Sequence, residues 1–389
     1  MHFDTIVIGA GSMGMAAGYY LAKEGYKTLC IDAHTPPHDF ASHHGETRLI
    51  RYAYGEGEKY VPFVLRAKKL WEELALLSDK EIFRQVGILN FTPKNDPYMA
   101  NVLSCAEKFN LPVEILTAKQ VNERWQGLSF PEDIVACFEP TSGVLMIENI
   151  IKTYYELGIK EGMKVHTNDA VANIHVLGDE LIEVTTKTGQ TFTSKNIIIS
   201  VGAWAKSLLA QIDIDVPITP TRKTFAWFEA DEALYGDQVF PGFAYLNGTE
   251  GYYGFPSIDG AGLKMGRHDE GVIVNPDEEK VPFGEVAGDK EDLHNFLGQF
   301  MPKVGELQLG KTCMYSMSPD GDFIIDVHPK HKNIAFAGGF SGHGFKFASA
   351  VGEALKDLVT AGTTKVDLEA FSLKRFLVSM HQQSKKQNV

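Results

Sequence analysis

Residues 5–14, Thr-Ile-Val-Ile-Gly-Ala-Gly-Ser-Met-Gly, decide the fold of this chain. The first four form a short β-branched run, which is typical of a buried parallel strand. The last six match the pattern Gly-x-Gly-x-x-Gly, and residues 13–24 then carry Ala, Tyr and Leu at helical spacing. A second strand-like run, residues 27–31, leads directly to Asp32. This order of strand, glycine turn, helix and acid-terminated strand predicts a Rossmann-like dinucleotide-binding unit.

Each glycine of this turn has a predicted role. Gly9 permits the tight turn, Gly11 lets a pyrophosphate approach the backbone, and Gly14 lets helix and strand pack closely. The N–H groups at the helix N-terminus would hold the phosphates, and Asp32 would accept hydrogen bonds from ribose hydroxyls. The cofactor-binding residues predicted from this unit are Gly9, Gly11, Ser12, Met13, Gly14 and Asp32. The motif alone does not distinguish FAD from NAD, and the same elements without a ligand are the structural alternative.

Composition excludes several classes of protein. The formal net charge of -13 argues against binding to nucleic acid or to an anionic membrane surface. No apolar stretch is long enough to span a membrane, and no leader segment is apparent. The 4 cysteines include no Cys-x-x-Cys pair, so neither a disulfide framework nor a structural zinc site is expected. These features favour a reduced, cytoplasmic protein.

The chain is long enough for two domains. Strand-like runs at 224–228, 252–255 and 262–266 alternate with turns, which predicts a largely antiparallel sheet. Two further strand-to-glycine transitions, at 196–202 and 333–339, resemble the first strand in character. The predicted class is therefore α/β with an α+β insert. A discontinuous nucleotide-binding domain (1–80, 145–215 and 323–389) would accompany a substrate domain (81–144 and 216–322).

Five separated motifs carry a family resemblance. They are 42–51 (Ser-His-His-Gly-Glu-Thr-Arg-Leu-Ile-Arg), 54–57 (Tyr-Gly-Glu-Gly), Lys264, 311–315 (Lys-Thr-Cys-Met-Tyr) and 339–347 (Gly-Phe-Ser-Gly-His-Gly-Phe-Lys-Phe). In order, and over essentially the whole chain, they resemble the covalent-flavin amine oxidases that act on sarcosine or N-methyl-L-tryptophan. The resemblance implies FAD, oxidation of an N-methyl amino acid to the primary amino acid and formaldehyde, and dioxygen reduced to hydrogen peroxide. It also implies a monomer.

The resemblance also implies roles for individual residues. Cys313 would carry FAD through an 8α-S-cysteinyl bond, and Arg51 and Lys346 would bind the substrate carboxylate. Lys264 would activate oxygen beside the flavin. The catalytic set implied in this way is Lys264, Arg48, His268, Tyr253 and Tyr315. The further cofactor-binding set is Ser42, His43, Arg48, Cys313, Gly342, His343, Gly344, Phe345 and Lys346.

Elementary chemistry offers a plainer alternative for each of these residues. Free cysteine is most often a small buried hydrophobe, and a lone arginine or lysine is most often a solvated charge. Lys264 on a two-sided strand would by default face solvent. His43 and His44 would point apart on a strand and have no accompanying carboxylates, so no metal site is expected. His166 and His328 are interpreted as surface residues.

Substrate size is indicated by local similarity. The segments 222–227, 280–286 and 318–320 resemble N-methyl-L-tryptophan oxidases more than sarcosine oxidases. Ala244 falls where sarcosine oxidases carry a larger, methionine-type residue, which would leave room for an indole. N-methyl-L-tryptophan is therefore the predicted substrate and sarcosine the alternative. An NAD-dependent dehydrogenase and a non-catalytic flavin-binding protein are the alternatives from other classes.

Overall fold

The computed structural model describes residues 1–269 and 271–376. The strands are β1 His2–Ile8, β2 Thr28–Ile31, β3 Thr47–Ile50, β4 Phe83–Arg84, β5 Ile88–Pro93, β6 Glu114–Thr117, β7 Ile134–Glu139, β8 Gly143–Met146, β9 Lys164–His166, β10 Val171–Gly178, β11 Leu181–Thr186, β12 Thr191–Ile199, β13 Thr219–Phe228, β14 Gly242–Leu246, β15 Gly251–Phe255, β16 Leu263–Arg267, β17 Val272–Ile273, β18 Leu307–Met317, β19 Ile324–Val327 and β20 Ile334–Gly338. The helices are α1 Ser12–Lys23, α2 Val61–Leu77, α3 Pro97–Lys108, α4 Ala118–Arg124, α5 Ile147–Lys160, α6 Ala205–Ala210, α7 Glu232–Tyr235, α8 Glu291–Phe300 and α9 Ala348–Ala361. Short 3-10 turns occupy Glu58–Tyr60, Gly202–Trp204, Phe345–Phe347 and Glu369–Phe371.

The first sheet contains the glycine turn. Its parallel centre has the order β9-β2-β1-β12-β20, with β19 antiparallel on β20. The antiparallel hairpin β10-β11 pairs with the first half of β12. Strands from the beginning, middle and later part of the chain thus share one sheet. The α/β class is confirmed, whereas the division into domains stays a prediction, and residues 377–389 of its last segment lie outside the described residues.

Both faces of this sheet are covered, which explains its continuous apolar runs. Alternate residues pack under α1, α2, α5 and α9, while those between them pack against the segment around α6. Helices α1 and α9 approach closely, since a Cβ on Gly352 would lie 2.5 Å from the Cβ of Ala16. This close packing fixes the helix that starts at the glycine turn. None of the helices within the described ranges is long and apolar enough to cross a membrane.

The second sheet has the order β17-β13-β16-β15-β14-β5-β7-β6, with β18 also paired to β13. All its pairs are antiparallel except β14 with β5, so the predicted antiparallel insert is confirmed. One face is an apolar core over α8. Cross-strand partners share a face. The opposite face therefore carries Tyr253, Ala244, Phe255, Lys264, Trp227, Lys223 and Cys313.

Two expectations about histidines are wrong. His43 and His44 lie in the turns before β3 rather than on a strand, and both are buried. His328 is buried rather than on the surface: Nε2 lies 2.8 Å from the carbonyl oxygen of Ile212, and Nδ1 accepts from the N–H groups of Lys330 and His331. A buried histidine with both nitrogens satisfied is a structural residue. Nothing in the local sequence distinguishes it from an exposed one.

Candidate active site

The three glycines of the turn differ in why glycine is needed: the fold requires two of them, and a ligand would require the third. Gly9 has φ +89°, and a Cβ on Gly14 would lie 1.9 Å from the carbonyl oxygen of Gly9. The fold itself therefore requires both glycines. Gly11 has φ -69°, and its Cβ would meet only the ring of His43, at 3.9 Å. The open side of Gly11 is the space that a pyrophosphate needs.

Asp32, the residue directly after β2, holds this turn through hydrogen bonds. Its Oδ2 accepts from the N–H of Ala10 at 2.7 Å, and its Oδ1 accepts from the N–H of His34 at 2.9 Å. His38 Nε2 lies 3.2 Å from the same Oδ1. Each carboxylate oxygen can accept more than one hydrogen bond, so Asp32 can hold the turn and bind a ribose together. The residues present fit the ADP half of FAD.

Substitution at Gly11 and at Gly14 is expected to give opposite results. Gly11→Ala should lower the flavin-to-protein ratio after expression while changing the free energy of unfolding by less than about 1 kcal/mol. Gly14→Ala should destabilise the fold by about 1–3 kcal/mol, because its methyl group meets backbone. Flavin absorbance and urea denaturation would measure both effects. A stable Gly14→Ala protein, or a Gly11→Ala protein with full flavin content, would contradict this assignment.

A cavity that is open to solvent is lined by residues of β3, of the second sheet and of the turn at 342–346. Predicted site residues that line it are Arg48, Arg51, Tyr253, His268, Tyr315, Gly342, His343, Phe345 and Lys346. Its other lining residues are Leu49, Glu56, Ala244, Leu246, Tyr252 and Phe255. Residues from five separated parts of the sequence therefore meet in one space. Lys264, Cys313, Ser42, His43, Gly344 and the glycine turn lie outside its lining.

The charged ends of Arg51 and Lys346 both lie against the ring of one buried tyrosine, Tyr54. The guanidinium carbon of Arg51 is 4.7 Å from the ring centroid of Tyr54, and Lys346 Nζ is 5.4 Å from it. Lys346 Nζ also donates to the carbonyl oxygen of His343 at 3.0 Å. Burial, reinforced by the charge of Arg51, lowers the pKa of Lys346 to about 7. Two cations from distant segments thus share one wall of the cavity, and neither is the solvated charge of the plainer alternative.

Glu56 is a functional candidate that the sequence reasoning missed. Its Oε1 accepts from Arg51 Nη2 at 2.5 Å, whereas its Oε2 is buried without a hydrogen-bond partner among the described residues. Burial would raise the pKa of Glu56, but Arg51, His343 and Lys346 lower it to about 2. An ionised carboxylate therefore lies in the cavity. The motif at 54–57 carried the resemblance, but nothing in it assigned a role to Glu56.

Arg48 organises the turns before β3. Its guanidinium donates to the carbonyl oxygens of Ser42, His44 and Thr47 at 2.8 to 3.0 Å. His43 beside it is buried, and its Nε2 has no hydrogen-bond partner among the described residues. Burial lowers the pKa of His43 to about 3, so the ring is neutral. The ring lies beside Gly11, and its unpartnered buried nitrogen fits a ligand at the glycine turn.

Lys264 lies in an aromatic enclosure. Its Nζ is 5.1 Å from the ring centroids of Phe225 and Trp227 and 4.7 Å from that of Phe255. It donates to the carbonyl oxygen of Gly45 and, at 3.0 Å, to Thr47 Oγ1. Only 3% of the residue is exposed, so the expected default of a solvent-facing strand position does not hold. Burial, with Arg48 as the next cause, lowers its pKa well below the ordinary value.

The phenols and imidazoles of the cavity are neutral near pH 7. Burial raises the pKa of Tyr253 to about 12 and that of Tyr315 well above its ordinary value. Burial lowers the pKa of His268 to about 4 and that of His343 to about 3. His343 Nδ1 lies 2.9 Å from the hydroxyl of Tyr54, and its Nε2 lies 3.2 Å from the carbonyl oxygen of Gly321. The cavity therefore contains no strong general base among these groups.

Cys313 lies on β18 opposite Lys223 of β13 and is 2% exposed. Burial raises the pKa of its thiol, while the charges of Arg48, Lys280, Lys264 and Lys223 oppose that rise. It packs in a small cluster with Phe225, Trp227, Tyr315 and Met317. These contacts are compatible with the small buried hydrophobe, and four basic side chains act against the rise in its pKa. A thiolate would be stabilised by them.

Comparison with known proteins establishes the family. The family model described as FAD dependent oxidoreductase matches residues 4–358. The chain belongs to the FAD-dependent oxidoreductase family. It is 46% identical to the monomeric sarcosine oxidase of Bacillus sp. (strain NS-129), covering 96% of this chain and 97% of that one. It is 41% identical to the N-methyl-L-tryptophan oxidase of Yersinia pestis (strain Pestoides F), covering 97% of this chain and 100% of that one.

A solved structure agrees with the fold. The L-proline dehydrogenase of P. horikoshii superposes with a TM-score of 0.84, covering 97% of this chain and 98% of that chain, at 22% identity. At this identity the likeness shows the fold alone. As an FAD-dependent oxidoreductase, the chain depends on FAD, which resolves the choice between FAD and NAD that the motif left open.

Proposed function

We propose that this flavoenzyme oxidises the N-methyl group of an N-methyl amino acid, with N-methyl-L-tryptophan as its substrate. The products are the primary amino acid, formaldehyde and hydrogen peroxide. The identity to sarcosine and N-methyl-L-tryptophan oxidases over nearly the whole chain supports this class of substrate. The observation that carries the proposal is a buried pair of cations, Arg51 and Lys346, on the wall of a half-enclosed cavity.

The carboxylate of the substrate is proposed to bind at these cations. Arg51 Nη1 is buried and has no hydrogen-bond partner among the described residues, although Nη2 is paired with Glu56. An unpaired buried guanidinium nitrogen costs free energy until an acceptor arrives. A planar carboxylate matches the guanidinium geometry, and Lys346 adds a second donor beside it. The pair would therefore select and orient an amino acid rather than a simple amine.

The remaining residues of the cavity suit amine oxidation. Bound FAD would supply the two-electron acceptor for the amine and would pass the electrons on to dioxygen. The amine must react in its neutral form, because an ammonium group has no available lone pair. Arg51, Lys346 and Arg48 outnumber the one carboxylate of Glu56 in the cavity lining, so they disfavour a further positive charge there and lower the pKa of a bound amine. Neutral His268 and the phenols of Tyr253 and Tyr315 would fix its orientation without removing a proton.

We propose that FAD is covalently bound through Cys313 and that dioxygen reacts beside Lys264. The cations around Cys313 support the first assignment, and the buried ammonium of Lys264 supports the second. A cytoplasmic monomer divided into the two domains of the sequence analysis completes the proposal. Ser42, His43 and the 342–346 turn would complete the flavin site.

The residues that line the cavity bear on the size of the substrate side chain. Ala244 lines the cavity together with Leu246 and Tyr252, so a small residue and apolar surface adjoin the carboxylate site. We propose that the small side chain of Ala244 leaves room for an indole. Sarcosine is the second candidate. The observation in its favour is that the chain is more similar to the sarcosine oxidase, at 46% identity against 41%.

A side-by-side peroxide assay tests the proposal. With N-methyl-L-tryptophan and sarcosine at matched concentrations, we expect kcat/KM to be larger for N-methyl-L-tryptophan. Ala244→Met should remove that preference by narrowing the cavity, with a loss of about 10-fold for the larger substrate. A preference for sarcosine that Ala244→Met leaves unchanged would replace the first candidate by the second. No peroxide from either substrate, or from other N-methyl amino acids, would reject the proposed function.

Arg51→Ala is expected to raise KM on the order of 100-fold, because a buried charge pair with the substrate carboxylate is lost. The corresponding N-methyl amino acid amide has no carboxylate and should be a poor substrate for the wild type. Arg51→Ala should weaken its turnover little further. Steady-state kinetics on acid and amide give the measurement. Arg66→Ala, which removes a guanidinium paired with Glu353 away from the cavity, is the matched control. An unchanged KM in Arg51→Ala would remove Arg51 from the carboxylate site.

A further inference from the structure

A buried carboxylate outside the cavity contacts the segment that carries Arg51. Glu139 is the last residue of β7 and is fully buried, with 0% of its surface exposed. It faces the same side of the second sheet as Ile88, its partner on β5. A buried carboxylate is costly unless donors compensate it. Its contacts therefore show what it holds in place.

The donors to Glu139 are two consecutive backbone groups. Its Oε2 accepts from the N–H of Tyr52 at 2.5 Å and from the N–H of Ala53 at 3.2 Å. These residues follow Arg51 immediately, where the chain has left β3 and has no strand partner to fix it. One carboxylate oxygen thus fixes the backbone direction just after the guanidinium that faces the cavity.

The charge of Arg51 also acts on Glu139. Burial raises the pKa of Glu139, while the two backbone donors and Arg51 oppose that rise. The Arg51 side chain is enclosed further by the ring of Tyr98, whose centroid lies 5.8 Å from the guanidinium carbon. The segment is therefore held at its backbone by Glu139 and at its side chain by aromatic rings. A guanidinium held this way pays less to order its side chain when a ligand binds.

We propose that Glu139 is a positioning residue for the carboxylate site: by fixing the backbone at Tyr52 and Ala53, it sets where Arg51 meets the carboxylate of the ligand. The inference rests on the role of Arg51 in the proposed function. Glu139 does not touch the substrate, and its effect is carried through the backbone. A displacement of about 1 Å at such a site can cost on the order of 100-fold in binding or rate.

The test measures carboxylate binding as well as turnover. Calorimetric titration of the flavin-loaded protein with acetate gives the affinity of the site, and acetamide is the uncharged control. Glu139→Leu should weaken acetate binding by about 10- to 100-fold. Glu139→Gln keeps an oxygen that accepts from the same N–H groups and should stay within about threefold of the wild type. With N-methyl amino acid, KM should rise in Glu139→Leu far more than kcat falls.

Matched variants separate positioning from stability. Thr92→Val alters another fully buried polar residue on the same sheet face, and acetate affinity should not change. If Glu139→Leu does not fold, Glu139→Asp withdraws the carboxylate by one bond of about 1.5 Å and should give an intermediate loss. Acetate affinity equal to the wild type in the Leu or Asp variant overturns the inference, as does an equal loss in Glu139→Gln.

The outcomes also separate this inference from the proposed function. Wild-type protein that makes no peroxide from N-methyl amino acids, yet binds acetate in a Glu139-dependent manner, rejects the function and retains the inference. If the wild type forms peroxide but acetate affinity does not depend on Glu139, the proposed function is retained and the inference is rejected. Wild-type protein that does not bind acetate overturns the inference, because Arg51 is then no carboxylate site.

Discussion

Replacing Cys313 with serine is expected to yield a protein that releases all its flavin on denaturation, whereas the wild type keeps its flavin. The proposed thioether joins the sulfur of Cys313 to the 8α carbon of FAD, so acid cannot remove the cofactor from the wild-type chain. Serine offers a weaker nucleophile of similar size. The expected contrast is therefore nearly complete retention against none.

The surroundings of Cys313 give the physical reason. Arg48, Lys280, Lys264 and Lys223 all oppose the rise that burial causes in the pKa of the thiol. These charges favour the thiolate, which is the reactive form of cysteine. A covalent link would also raise the flavin potential and favour oxidation of a poorly activated amine.

The measurement is flavin fluorescence in the chain after acid precipitation and gel electrophoresis. Cys137→Ser is the matched control, because Cys137 is also fully buried on the second sheet but lies on β7. It should retain covalent flavin. A wild-type protein whose yellow colour passes entirely through a size filter after denaturation would contradict the linkage.

Replacing Lys264 with methionine is expected to slow the reaction of the reduced enzyme with oxygen by on the order of 100- to 1,000-fold. Reduction by substrate should change far less. Methionine keeps the length and apolar contacts of the side chain but has no charge. A fixed cation stabilises the negative charge that oxygen acquires with its first electron, and burial strengthens that effect.

The enclosure of Lys264 makes this effect large. The three aromatic rings at 4.7 to 5.1 Å and the acceptors of Gly45 and Thr47 hold the ammonium in one place. Burial lowers its pKa, so the charged form is lost as pH rises through the depressed value. Oxygen reactivity should therefore decline toward high pH in the wild type and be insensitive to this titration in Lys264→Met.

Stopped-flow absorbance of the flavin separates the two half-reactions. Lys311→Met is the control, since Lys311 lies near the same indole, 5.6 Å from the ring of Trp227, but is not enclosed. Its oxygen reaction should stay close to that of the wild type. Equal losses in both half-reactions of Lys264→Met would reject the assignment.

Local patterns in the sequence were sufficient for much of the fold. The β1–α1–β2 unit was predicted closely because its glycines, apolar runs and terminal acid act over short distances along the chain. Strands β13, β15 and β16 were predicted from alternation and turns in the same way. The strand assumed for His43 and His44 was wrong because their segment turns before β3, where glycine at 45 has φ +110°.

The candidate site was only partly predictable. Arg51, Lys346, Lys264 and Cys313 came from the resemblance, and the burial of the three basic residues is what the plainer alternatives from residue type did not anticipate. Tyr54, Glu56 and Glu139 were missed as functional groups. Their roles depend on contacts between segments that are far apart in the chain. Glu139 and Tyr52, for example, are separated by 87 positions. No periodicity in the sequence encodes such a contact.

By itself, the sequence predicted a dinucleotide-binding unit with its turn at Gly9, Gly11 and Gly14, and it determined that the chain carries an antiparallel insert. These features arise from backbone conformation and side-chain alternation, which act between near neighbours. Only the tertiary structure decided that Gly14 is required by the fold while Gly11 leaves space for a ligand. Only the tertiary structure placed Arg51 and Lys346 on one tyrosine, because burial and charge depend on which distant segments pack together.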